Sequence, residues 1–230
     1  MNKILPAILP DSYEELEAEL GFIAKSAQTV HLDVCDGVFA PRTSWPYLVP
    51  DDAHFELLLR EDEGLPYWDK LDYEAHLMIE NAEAQAEEWV RVGMSRLIVH
   101  AETLRDFDGL ATQLGPLTEL GLALKYETSL DVVAPYIDRI AVLQLMTISD
   151  IGFRGSAFES DSFERVAEAR KRFPNVVLAV DGGVNRGNIK ALKESGADRF
   201  VIGSALFSES DIPRALRELE GIIGGHDAHS

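Results

Sequence analysis

A single cysteine, Cys35, stands in a chain of 230 residues. No internal disulfide can form, which excludes a small disulfide-stapled scaffold and makes a reducing, cytoplasmic setting the expected one. Positive charge is scarce as well. Lys and Arg number 21 against 40 Asp and Glu, for a formal net charge of −19, and such a surface repels nucleic acid and anionic lipid. Neither is expected as a partner. An anionic small molecule stays compatible, because surface charge is screened beyond about 8 Å at physiological salt and a local nest of backbone N–H groups still attracts phosphate. No apolar run nears the roughly 18 residues of a membrane span, so a soluble protein is expected. No basic segment precedes the apolar residues 4–9, and no secretory signal is expected.

What is present is alternation. Apolar runs suited to strands occur at residues 4–9, 29–35, 70–79, 96–100, 121–127, 141–148, 175–181 and 198–202. Helical patterns follow at 12–27, 81–93, 104–120, 129–140, 158–173, 185–195 and 212–223. Ser12 to Glu15 has capping-box spacing, Asn81 is placed to cap the next helix, and Gly196 to stop a later one. Residues 38–69, with four prolines and a glycine, read as a long loop carrying a short helix near 53–60. Eight strands alternating with about eight helices predict an α/β fold, a single (β/α)8 TIM barrel over residues 1–223, with 224–230 expected to be a disordered tail.

The polar residues inside these strands carry the chemistry. In Val30-His31-Leu32-Asp33-Val34-Cys35 the side chains alternate, so His31, Asp33 and Cys35 share one face. An unpaired buried charge costs several kcal/mol or more, roughly, so this face needs a metal, a counter-charge or a water-filled pocket. A hydrogen-bonded core histidine beside a buried aspartate is an equal reading of this strand alone. His76 and Met78 share a face of the third strand, and Asp181 ends the otherwise apolar seventh. A barrel gathers its active site at the C-terminal strand ends. His31, Asp33, His76 and Asp181 would therefore converge on one mouth, as a mixed nitrogen and oxygen set suited to one divalent cation such as Zn, Fe, Mn or Co. His100 and Glu102 face the same mouth by alternation, with ligand support or plain packing as plausible as substrate contact.

Three glycine-bearing turns follow strands six to eight: Gly152-Phe153-Arg154-Gly155-Ser156, Gly182-Gly183-Val184 and Gly203-Ser204-Ala205. Turns after the last two barrel strands frequently hold phosphate in this fold, and glycine lets the backbone approach an anion.

These residues resemble the ribulose-phosphate 3-epimerase family over nearly the whole chain. The resemblance rests on Pro6-Ala7-Ile8-Leu9, on residues 31–41 beginning His31-Leu32-Asp33-Val34-Cys35-Asp36-Gly37, and on Ala75-His76-Leu77-Met78-Ile79. It rests equally on Val99-His100-Ala101-Glu102, Leu145-Met146-Thr147, Gly152-Phe153, Val180-Asp181-Gly182-Gly183-Val184 and residues 202–207. It implies metal ligation by His31, Asp33, His76 and Asp181, with Asp33 and Asp181 as the acid/base pair. It also implies phosphate held at Gly182, Gly183, Gly203 and Ser204, and Met78 and Met146 as an apolar floor, although ordinary core packing explains each methionine equally well. The implied activity interconverts D-ribulose 5-phosphate and D-xylulose 5-phosphate, and relatives are often assemblies of identical subunits.

Departures cluster around the expected substrate. Ala7 stands where the family has a substrate-contacting serine, Cys35 where it has methionine, and Lys125-Tyr126-Glu127-Thr128 where it has Asn-Pro-x-Thr. Arg154 replaces a phosphate-turn glycine, and is expected either to pair with the phosphate or to fold outward. Residues 42–69 match no family pattern. Two alternatives stay open beside the pentose-phosphate epimerase: an epimerase or isomerase of a ketohexose 6-phosphate, and a metal- or phosphate-binding barrel without turnover.

Overall fold

In the computed structural model, which describes residues 3–224, eight parallel strands close into a barrel. They are β1 (Ile4–Ile8), β2 (Thr29–Cys35), β3 (Asp72–Met78), β4 (Arg96–His100), β5 (Glu119–Leu124), β6 (Val142–Met146), β7 (Val177–Asp181) and β8 (Arg199–Ile202). Each pairs with the next, and β1 pairs with β8, so the sheet has no open edge. The expected (β/α)8 architecture is the one the chain adopts. The helices are α1 (Tyr13–Ile23), α2 (Ala53–Leu59), α3 (Ala82–Val92), α4 (Phe107–Leu114), α5 (Ser162–Arg172), α6 (Ile189–Ser195), α7 (Ser204–Phe207) and α8 (Ile212–Gly224). No helix among the described residues is long and apolar enough to cross a membrane.

Side-chain alternation sorts the strands into two cores. Val30, Leu32 and Val34 pack outward in one cluster with Leu16, Leu20 and Trp89 of the helices. The inward residues stack in layers: Ile98, Ala123, Val142 and Ala179 fill the middle, and Leu9, Cys35, Met78, Met146 and Ile148 line the C-terminal end. At the N-terminal end the layer is ionic. Glu74 accepts hydrogen bonds from Arg96 at 2.6 Å and Arg199 at 2.7 Å, and Arg96 also donates to Glu119.

Several expected boundaries move, each for a local reason. Residues 129–140 form two 3-10 segments, Leu130–Val132 and Ala134–Arg139, instead of one α-helix. Pro135 lacks the N–H that would bond four residues back, and its ring would strike that carbonyl. The helix expected over 104–120 shortens to α4, capped at Gly115 ahead of Pro116, and β5 starts early at Glu119. The helix expected from 185 starts at Ile189, because the Asn185 side chain accepts from the Gly187 N–H in a local turn. Ser12 caps α1 as expected, accepting from the Glu15 N–H at 3.3 Å, while the Glu15 carboxylate reaches one residue further back, to the Asp11 N–H. Asn81 does not cap by its side chain; it sits in the left-handed region at φ 56°. The short helix α7 was not expected. Of the expected tail, Gly224 closes α8, and 225–230 lie outside the described residues.

Candidate active site

Register brings the polar strand ends together. Asp33 on β2 lies opposite His76 on β3, and His31 lies opposite Glu74. Asp181 ends β7 opposite Met146 of β6. One ligand atom from each of His31, Asp33, His76 and Asp181 falls within a group whose members all lie within 4.8 Å of one another. His76 Nδ1 is 2.8 Å from Asp33 Oδ1 and 3.3 Å from Asp181 Oδ2. His31 Nε2 is 3.4 Å from Asp33 Oδ1 and 3.9 Å from Asp181 Oδ2.

Two features show that this donor set fits a divalent cation. His31 is fully buried, yet its Nε2 finds no hydrogen-bond partner among the described residues. A buried polar atom left this way is costly unless something occupies the space before it. The donors are also two imidazoles and two carboxylates, the mixed set that borderline divalent metals take.

The electrostatics describe the competition between a proton and a cation for that space. Burial opposes charge on His31, but the nearby Asp33 carboxylate and the hydrogen-bonded Glu74 carboxylate outweigh it and lift the imidazole to about 10. His76 is raised too, against its burial, by hydrogen bonds to Asp181 and Asp33. Burial would raise the Asp33 carboxyl, yet the facing His31 ring and the hydrogen-bonded His76 ring hold it well below the usual carboxylate range. His31 and His76 would have to give up a proton each to serve as ligands of a cation here.

Sequence reasoning passed over part of the support. Glu74 accepts from His31 Nδ1 at 2.7 Å, which turns Nε2 toward the other donors. Gln144 Nε2 donates to Asp181 Oδ2 at 3.0 Å. Both residues share a strand face with residues already singled out, Glu74 with His76 and Gln144 with Met146, so the two-residue period was the available signal. His100 lies behind His76 rather than facing the cavity: the two Nε2 atoms are 3.0 Å apart.

The cavity above this cluster is lined by Asp33, Asp181, Met78, Met146, Gly152, Phe153, Arg154, Gly155, Gly182, Gly183, Gly203 and Ser204. Every substrate-side residue singled out from the sequence therefore borders one space. Ala7 also borders it, and Cys35 is buried with Met78 and Met146. Gly182 and Gly183 adopt φ of 108° and 64°, where a side chain is strained, and a Cβ would come within 2.6 Å of Ile148 and 2.9 Å of Phe158 respectively. Arg154 is exposed and borders the cavity, but its guanidinium is paired with α1. It donates to Glu19 at 2.6 and 2.9 Å and to the Leu9 carbonyl at 2.8 Å, so the loop after β6 is fastened to α1. The 125–128 segment is held by Arg165, which donates to the carbonyls of Lys125, Tyr126 and Thr128.

The family model for the ribulose-phosphate 3 epimerase family matches residues 3–207. The chain belongs to the ribulose-phosphate 3-epimerase family. Its relatives include ribulose-phosphate 3-epimerase of Bacillus subtilis (strain 168), 29% identical over 230 residues, covering 96% of this chain and 99% of the relative. Ribulose-phosphate 3-epimerase 1 of Cupriavidus necator is 30% identical over 221 residues, covering 91% of this chain and 86% of the relative. The crystal structure of 3-hexulose-6-phosphate synthase from Salmonella typhimurium superposes with a TM-score of 0.68 at 15% identity, covering 98% of this chain and 100% of that one. That likeness shows the barrel alone. The epimerase-family relatives act on a phosphorylated ketose, and the four-residue cluster in this chain could hold one metal ion.

Proposed function

We propose that this chain is a metal-dependent epimerase interconverting D-ribulose 5-phosphate and D-xylulose 5-phosphate. The observation that carries the reading is the gathering of two carboxylates, from β2 and β7, around the unpartnered Nε2 of buried His31 at the floor of a glycine-edged cavity. Inverting the carbon next to a ketone requires removing its proton from one face and delivering one to the other, so two acid/base groups must flank a flat intermediate. Asp33, on β2, and Asp181, on β7, both border the cavity and would serve as that pair. One carboxylate takes the C3 proton, the electron pair delocalises toward the carbonyl, and the opposite carboxyl group returns a proton to C3.

His31, Asp33, His76 and Asp181 would hold the cation, which supplies Lewis-acid stabilisation of negative charge developing beside the reacting carbon. Met78 and Met146 give the intermediate an apolar, polarizable floor that keeps water from competing for the proton. Gly182, Gly183, Gly203 and Ser204 form the rim suited to the phosphate, where backbone can approach the anion without a side chain intervening.

The test is a coupled assay of purified protein with ribulose 5-phosphate, together with metal analysis before and after chelation. Turnover that falls on chelation and returns with a divalent cation supports the reading. Turnover confined to a six-carbon ketose 6-phosphate, or metal uptake with no turnover, overturns it.

A further inference from the structure

The two candidate ligand histidines are braced differently. His31 Nδ1 meets the Glu74 carboxylate directly at 2.7 Å. His76 is braced through a second ring: its Nε2 lies 3.0 Å from Nε2 of His100, whose Nδ1 lies 3.0 Å from Oε2 of Glu102. Both rings are fully buried and stack with centroids 5.0 Å apart. Phe39 packs on His100 at 4.7 Å, and Lys125 Nζ sits 3.7 Å from the Phe39 ring centre. The other Glu102 oxygen, Oε1, accepts from the Lys125 main-chain N–H at 2.7 Å.

Proton counting along this line leaves one arrangement compatible with metal ligation. Ligation needs a lone pair on His76 Nδ1, the nitrogen facing Asp33 and Asp181, so the ring's proton must sit on Nε2. That N–H points at His100 Nε2, which must then be the acceptor, and the His100 proton sits on Nδ1, where it donates to Glu102. The reverse arrangement would set the bare Nδ1 of His100 against a carboxylate oxygen at 3.0 Å, lone pair facing lone pair.

We propose that Glu102 and His100 are positioning residues that fix the tautomer of His76 and so present its Nδ1 to the cation. The inference rests on the metal-site reading above and concerns residues outside the ligand set. Glu102→Gln exposes the mechanism. An amide has one acceptor, and the Lys125 main-chain N–H cannot be anything but a donor, so the amide oxygen turns to it and the NH2 group faces His100 Nδ1. The imidazole relaxes by moving its proton to Nε2. That proton then opposes the Nε2–H of His76 and drives the His76 proton toward the ligand nitrogen.

The experiment loads the full chain with Zn(II) and reads the histidine ring nitrogens by 15N-edited NMR, with zinc affinity measured by chelator competition. The zinc-loaded wild type is expected to carry protons on His76 Nε2 and His100 Nδ1. The Glu102→Gln protein is expected to lose the His100 Nδ1 proton and to bind zinc about 10- to 100-fold more weakly, the range typical when a group bracing a ligand is lost. A bare His100 Nδ1 in the zinc-loaded wild type overturns the proposal, and so does a variant affinity within about twofold of wild type. If the variant does not fold, the wild-type spectrum alone decides. A wild type that takes up no zinc removes the metal site itself, an outcome distinct from normal zinc uptake with the wrong tautomer.

Discussion

At the scale of single residues, the site is governed by what replaces what at His31 Nε2. His31 in the folded protein titrates near 10, well above the roughly 6.5 of an unfolded chain. A group raised in this way adds stability that is fully present below its unfolded value and is lost as pH rises through the folded one. The metal-free protein is therefore expected to lose melting temperature between about pH 7 and pH 10, and equimolar zinc to flatten that decline, because the cation takes over the proton's place. Calorimetry in chelator and in zinc across that range checks it; parallel profiles would break the link. Asp181 has a different test. Asp181→Asn keeps the shape of the side chain but cannot return a proton, so kcat is expected to fall about 10²- to 10⁴-fold with the circular dichroism unchanged. Activity near that of the wild type would remove Asp181 from the proposed acid/base pair.

At the scale of elements, strand alternation was legible and loop chemistry was not. Eight strands could be read because one face of each is apolar and the other carries the few polar residues that matter, as in β2, where Val30, Leu32 and Val34 pack outward and His31 and Asp33 inward. The same period held Glu74 and Gln144, but neither is chemically distinctive until its partners are known, and those come from β2, β7 and β8, far off in sequence. Arg154 was the least readable residue, since its partner Glu19 lies 135 positions away on α1. The loop after β6 is thus fastened by an ion pair and a bond to the Leu9 carbonyl. Arg154→Ala is expected to speed amide exchange across residues 150–156 while raising KM only a few-fold, because the guanidinium is committed to α1 and not to the cavity. Hydrogen-exchange mass spectrometry with steady-state kinetics separates the roles: unchanged exchange with a KM raised about 100-fold would make Arg154 a phosphate ligand instead.

At the scale of the molecule, the barrel is built around a line of charge that runs from its N-terminal floor to its mouth. Arg96 and Arg199 donate to Glu74, Glu74 accepts from His31, and His31 faces Asp33 and Asp181. Glu74 and Arg199 are almost wholly buried, and two nitrogens of Arg199 find no partner among the described residues. Burial works against ionisation at both, yet His31 and the two arginines hold the Glu74 carboxyl below the usual carboxylate range, while burial lowers Arg199. Removing one charge from such a group is worse than removing a pair, because it strands the other without a counter-ion. Glu74→Gln is expected to cost about 3–5 kcal/mol, leaving two guanidinium groups facing a neutral amide. Arg199→Met is expected to cost less, since Arg96 and His31 still neutralise Glu74 and the two unpartnered nitrogens are gone. The Glu74→Gln/Arg199→Met protein should then be more stable than the sum of the single losses allows, with a coupling of about 0.5–3 kcal/mol. Urea unfolding of all four proteins in chelator measures this without the metal's contribution. Additive losses would mean that the floor and the mouth are independent, and that Glu74 serves His31 alone.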